Sequence, residues 1–150
     1  MVKSIQHTLF FSHPPEVVWE YLTTAELIAQ WLMPNDFQPI LGCDFQFITK
    51  PIPQLDFDGI AYCKVLELVP HKKLSYSWKG GPALGQITLD SVVVWILVKK
   101  DNGTELRLDH TGFRELENYA IYPAMNEGWL KNMKKIPELI NAAKHGATNA

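Results

Sequence analysis

Strand-like segments follow one another as far as LRLDHTGF, and then the pattern of the chain changes to a helical one. From about Ile121 to about Lys144, the apolar residues Met125, Trp129, Met133, Ile136 and Ile140 recur at spacings of three and four. That spacing puts them on one face of a helix. A long helix with one apolar face must lay that face on something. The strands before it are many, so the expectation is an α+β chain: a curved antiparallel sheet with one long C-terminal helix laid across its concave side. Such an arrangement can enclose a pocket.

The rest of the order is legible from local signals. Ile5 to Ser12 reads as a first strand, stopped by His13-Pro14-Pro15. Proline suits the first helical position, so PPEVVWEYL opens a short helix with Glu16 near its positive end. Thr23 and Glu26 have capping-box spacing and predict a second short helix, AELIAQWL, ended by Pro34 and Asn35. CDFQFIT alternates, with Phe45 and Phe47 on one side. Lys50 to Asp58 holds two prolines and reads as a loop. Gly59–Val69, KKLSYSW, Ile87–Lys99 and ELRLDHTGF are strands, the last two joined by an Asp101-Asn102-Gly103 hairpin turn. Alternation puts Leu74, Tyr76 and Trp78 on one face, and Leu106, Leu108 and His110 on another. The expectation is therefore about six or seven strands, with two short helices after the first. Residues 1–150 form one domain, with the tail beyond Lys144 frayed. Pro137 removes a hydrogen bond inside the last helix, so the stretch either kinks near Lys134 or divides into two helices; the apolar spacing that continues through Leu139, Ile140 and Ala143 favours a kink.

Composition narrows the classes of function. The net charge is −2 and there are only two arginines, Arg107 and Arg114, so neither nucleic acid nor an anionic membrane is an expected partner. Cys43 and Cys63 fall in different strands at no metal-type spacing and read as free thiols of a reducing, cytoplasmic compartment. The N-terminus enters a strand directly, without the apolar run of a secretory signal. Val92–Val98, the longest apolar run, is far short of the ~18 residues of a membrane span. It is, however, apolar on both strand faces. One face meets the core, and the other needs a short helix or a second subunit, so a homodimer through Val92–Val98 is expected.

No nucleophile elbow, zinc-protease motif or P-loop is present, and the five histidines show no metal-ligand spacing. Asp56, Asp58, Glu67, Glu115 and Glu127 show no two-carboxylate arrangement and read as solvated. No catalytic set, cofactor or metal is expected. His110 is the sharpest polar candidate: facing inward, it either orients a ligand or acts as a base, or it is a buried histidine bonded to backbone or tyrosine. The residues expected to line a cavity are Trp31, Phe45, Phe47, Tyr62, Tyr76, Trp78, Trp95, His110, Phe113, Met125, Trp129 and Met133. Aromatic bodies with polar tips and adaptable methionines suit a small-molecule site, and they suit a packed core equally.

Three segments carry a family resemblance: PPEVVWEYLTTAELIAQWLMPNDFQPILGCDFQF, KVLELVPHKKLSYSW, and GTELRLDHTGF with the later EGW. Together, in this order, they resemble the family of homologues of the activator of heat-shock-protein-90 ATPase, within the START and birch-allergen-like superfamily. The stand-alone bacterial-type members are the closer match. The resemblance implies a helix-grip fold with a cavity between sheet and long helix, and no agreed catalytic set. The functional expectation is non-enzymatic binding of a small hydrophobic molecule, a lipid or an aromatic metabolite. The alternatives are a stress-linked chaperone-partner role and a cyclase- or dehydratase-like enzyme using His110 with a nearby tyrosine.

Overall fold

The structure, a computed structural model, describes residues 2–83, 85–114, 118 and 120–149, and the side chains of all of these except Val2 and 144–149. Six strands make one antiparallel sheet: β1 (Val2–Phe11), β2 (Asp44–Ile48), β3 (Ile60–Val69), β4 (Lys73–Gly80), β5 (Leu89–Lys100) and β6 (Gly103–Arg114). Their order across the sheet is β1-β6-β5-β4-β3-β2. Strands β2 to β6 form an antiparallel meander, with tight turns at β3–β4 and β5–β6 and longer loops at β2–β3 and β4–β5. β1 returns beside β6, so it lies at the opposite edge from β2. Between β1 and β2 the chain has to travel from one edge to the other, and it does so through α1 (Pro15–Thr23) and α2 (Ala25–Trp31). α1 packs on β5 and β6, and both short helices touch the C-terminal one. That last stretch comprises α3 (Ile121–Met133) and α4 (Lys135–Asn149). The fold is the expected α+β helix grip.

Strand alternation sorts the side chains. Phe45 and Phe47 of β2, Ala61, Cys63 and Val65 of β3, and Leu74, Tyr76 and Trp78 of β4 are buried. So are Val93, Trp95 and Leu97 of β5 and Leu106, Leu108 and His110 of β6. The alternation breaks at Gly112, whose φ of 115° accompanies a register shift of β6 against Lys3 and Ser4 of β1. A side-chain Cβ on Gly112 would stand 2.7 Å from the Asp90 carbonyl oxygen, so only glycine fits. The extra residue of this bulge turns Phe113 to the inner face, where its ring meets His110 at 4.7 Å. From the helices come Trp129, Met133, Ile136 and Ile140, all buried, as their spacing predicts.

Two local details differ from the sequence expectation. The capping box does not form: Thr23 is the last residue of α1, and its hydroxyl donates to the Trp19 carbonyl at 2.8 Å, one turn back. A hydroxyl bonded within its own helix is not available to cap the next one, and Thr24 takes the cap position without a side-chain bond. α4 runs to Asn149. The helix breaks at Lys134, where the kink is expected, yet Lys134 keeps right-handed helical backbone at φ −66° and ψ −16°. Proline at 137 has no N–H to return to the Met133 carbonyl, which accounts for the break. Glu115, one of the carboxylates read as solvated, lies outside the described residues.

Met133 is fully buried one residue before this break. Met133→Ala is expected to lower stability by about 2–4 kcal/mol in urea unfolding, whereas Lys131→Ala, on the exposed side, should change it by less than about 0.5 kcal/mol.

Candidate functional site

The rings of Trp78 on β4 and Trp129 on α3 meet at 5.5 Å between centroids. The Trp129 indole N–H donates to Nδ1 of His110 at 3.0 Å. An indole nitrogen can only donate, so Nδ1 carries the lone pair and the ring proton sits on Nε2. Nε2 lies 2.8 Å from Ser91 Oγ, and that hydroxyl donates to the Trp78 carbonyl at 2.7 Å. A continuous chain of hydrogen bonds thus runs from α3 through β6 and β5 to β4. His110 is 0% exposed, and burial pushes its pKa down to about 3. It is a neutral ring with both nitrogens engaged.

Beside this chain opens a cleft of about 330 Å³. Ile121, Ala124, Met125, Gly128, Trp129 and Asn132 of α3 form one side. Leu32 and Met33, just after α2, and Trp78, Gly80 and Leu89 from the ends of β4 and β5 form the base. The remaining wall is the loop between β2 and β3, with Thr49, Ile52, Leu55 and Phe57. This loop is held shut at its foot by Thr49 N–H to the Gly59 carbonyl at 2.8 Å, and within itself by Ile52 N–H to the Phe57 carbonyl at 2.8 Å. Gly59 has φ 93°, and a Cβ there would come within 2.4 Å of the Thr49 carbonyl oxygen, so the closure needs glycine. No ionisable side chain lines the cleft among the described residues.

Of the residues expected to line a cavity, Trp78, Met125 and Trp129 do so. Phe47 stacks behind Trp78 at 5.0 Å and 28°. Trp31, Phe45, Tyr76, Trp95, Phe113 and Met133 are packed in the solid core. There Trp95 donates to the Tyr76 hydroxyl at 3.0 Å, and burial pushes the Tyr76 phenol pKa far up. His110 faces inward as expected and is sealed in that core rather than open to the cleft. Tyr62 corrects the expectation that it joins Tyr76 and Trp78. It alternates with the buried Ala61 and Cys63, so it stands on the outer face beside Gln46 and Lys79. The residues missed are mainly Ile52, Leu55 and Phe57, and the small pair Ala124 and Gly128. The loop trio shows as apolar residues in a segment that has only a short 3-10 turn, Pro53–Leu55, of its own. The pair shows as small residues four apart on the helix face that carries Trp129.

Cys43 and Cys63 are unpaired. Among the described residues no cluster of His, Cys, Asp or Glu could hold a metal ion, and no helix is long and apolar enough to cross a membrane.

Comparison with known proteins agrees with this architecture. A family model described as Activator of Hsp90 ATPase homolog 1-like protein matches residues 12–141, and the chain belongs to that family. Protein MLL2253 from Mesorhizobium loti is 34% identical, with 93% of this chain and 98% of that one covered and a TM-score of 0.81. The Aha1 dimer from Colwellia psychrerythraea is 18% identical over 91% of this chain and 94% of that one, with a TM-score of 0.73. CalU16 from Micromonospora echinospora is 20% identical over 96% and 83%, with a TM-score of 0.68. The last two share the fold. No curated protein matches the chain.

Unfolding releases His110 from a pKa of about 3 to the ordinary 6.5. Between those values the unfolded chain binds more protons, so this contribution to stability is complete above about pH 6.5 and is lost as pH falls towards 3. Melting temperature is expected to drop over that acid window, and His110→Gln should flatten the drop. Trp129→Phe leaves Nδ1 buried without a donor and should cost about 1–3 kcal/mol at neutral pH, measured by urea unfolding.

Proposed function

We propose that this protein binds a small hydrophobic molecule, a lipid or an aromatic metabolite, in the cleft between α3 and the sheet, without transforming it. The cleft carries this reading. It is a concavity of about 330 Å³ with almost wholly apolar walls, including the large faces of Trp78, Trp129 and Phe57. Pockets of this size and lining are the usual small-molecule sites. Met33 and Met125 add side chains that adapt to an occupant's shape. A reaction through His110 is not supported: its ring is covered and both nitrogens are bonded.

A second property, self-association, is favoured by the outer face of the sheet. Val92, Val94, Ile96 and Val98 of β5 form a half-buried apolar stripe there, with Ser75 and Ser77 of β4 on one side and Arg107 and Asp109 of β6 on the other. The related Aha1 from Colwellia psychrerythraea is described as a dimer. A homodimer that pairs this stripe with its copy would cover it. A chaperone-partner role rests on the family description alone.

The test of binding is N-phenyl-1-naphthylamine, an uncharged dye that brightens in apolar surroundings. A saturable rise with a Kd of about 1–100 μM is expected, about 5–8 kcal/mol of binding free energy. No saturable rise, together with native mass spectrometry showing only the bare chain, would remove the reading. For the dimer, light scattering at high micromolar concentration should give twice the chain mass, and Val94→Lys should give the single mass; a single mass for the native chain overturns it.

A further inference from the structure

The cleft as a binding site leaves the chemistry of its occupant open, and three observations narrow it. The first is charge. Lining side chains contributed by α3, the β2–β3 loop and the strand ends include no Lys, Arg, His, Asp or Glu among the described residues. An ionised group placed in such a cleft would lose water and gain no counter-charge, so an anionic or cationic occupant is strongly disfavoured. The second is a spare donor. The indole N–H groups of Trp31, Trp95 and Trp129 each have an acceptor: the Tyr21 carbonyl at 2.7 Å, the Tyr76 hydroxyl at 3.0 Å and His110 Nδ1 at 3.0 Å. The indole N–H groups of Trp19 and Trp78 donate to no described residue, and of these two only Trp78, 3% exposed, lines the cleft. The Trp78 nitrogen is not among the buried side-chain polar atoms left without a partner, so it is not sealed away from open space and can meet an occupant. The third is space. A Cβ built on Gly128 would meet nothing within 4 Å, so no neighbouring atom requires glycine at that position of α3. Glycine inside a helix is unfavourable relative to alanine. Its effect here is to leave room on the cleft side of α3, next to Trp129.

We propose that the occupant is an uncharged aromatic molecule carrying a hydrogen-bond acceptor, a carbonyl or ether oxygen received by the Trp78 indole N–H, and that Gly128 is the residue that keeps the space for it. The aromatic body follows from the indole walls, the Phe57 ring and the thioethers of Met33 and Met125, all of which make favourable contacts with flat rings. A cavity of about 150 Å³ holds benzene, so a cleft of about 330 Å³ suits a molecule of about two rings. This rests on the proposed function and names the class of molecule it would take.

Three probes of nearly one shape separate the possibilities: 2-acetylnaphthalene, 2-naphthoate and 2-ethylnaphthalene. The first carries a neutral acceptor, the second a charge and the third neither. Binding is read by quenching of tryptophan fluorescence and by calorimetry with the full chain at neutral pH. The ketone is expected to bind best, with the carboxylate at least about tenfold weaker because its charge has no partner in the cleft. Trp78→Phe keeps an aromatic wall but removes the donor, and should reduce the preference for the ketone over the hydrocarbon to about onefold. Gly128→Leu should melt no lower than the native chain and weaken the ketone at least about tenfold by filling the space. Gly128→Ala is the conservative control, with binding reduced less than in Gly128→Leu. Naphthoate binding as tightly as the ketone overturns the assignment of charge, and an unchanged ketone preference in Trp78→Phe overturns the assignment of the donor. A folded Gly128→Leu that still binds normally overturns the role of Gly128. If N-phenyl-1-naphthylamine binds and none of the three probes does, the chemical class is wrong; if the dye also fails, the binding function itself falls.

Discussion

The hydrogen bond from the Trp129 indole to His110 Nδ1 joins the helix to the sheet at the centre of the molecule. Apolar burial alone would press α3 against the strands, but burial is not directional and tolerates sliding. A buried bond between two rings tolerates much less. Because the His110 Nε2–H donates to the Ser91 hydroxyl, and that hydroxyl donates to the Trp78 carbonyl, the bond fixes α3 against three neighbouring strands at once. It also sets the plane of the Trp129 ring, and with it one wall of the cleft. The histidine that looks like a catalytic group in the sequence is therefore the joint of the grip, and its neutrality is a condition of that joint.

The cleft exists because the packing is uneven along the helix. Near Met133, Ile136 and Ile140 the helix face is fully buried. Towards Ile121 it presents Ala124 and Gly128, too small to reach across, while the β2–β3 loop folds over from the other side. The opening is thus a consequence of side-chain size on α3 and of a loop whose closure depends on the backbone of Gly59. Its apolar lining and the absence of lining charge among the described residues follow from the same segments, none of which brings an ionisable residue to that face.

Much of this was legible in the sequence. Alternation in KKLSYSW and ELRLDHTGF placed Trp78 and His110 on inner faces, and the three-and-four spacing after Ile121 placed Trp129 and Met133 opposite them. The break at Lys134 followed from Pro137. Other residues were not legible in this way. Tyr62 sits in a strand apolar enough on both faces that either parity looked acceptable, and only its pairing with Gln46 and Lys79 decides that it faces out. The capping spacing of Thr23 and Glu26 was present, but a competing bond to Trp19 one turn back took the hydroxyl. Ile52, Leu55 and Phe57 lie in a loop, where no periodicity announces which way a side chain points.

The sequence by itself determined the order of elements and the face on which most side chains lie, because strand and helix periods are properties of a few consecutive residues. Tertiary structure alone decided which aromatic residues fill the core and which border open space, and which nitrogen of His110 carries the proton. Those outcomes depend on distances between residues far apart in the chain, such as Trp129 to His110 and the β2–β3 loop to α3, and no local pattern encodes such distances.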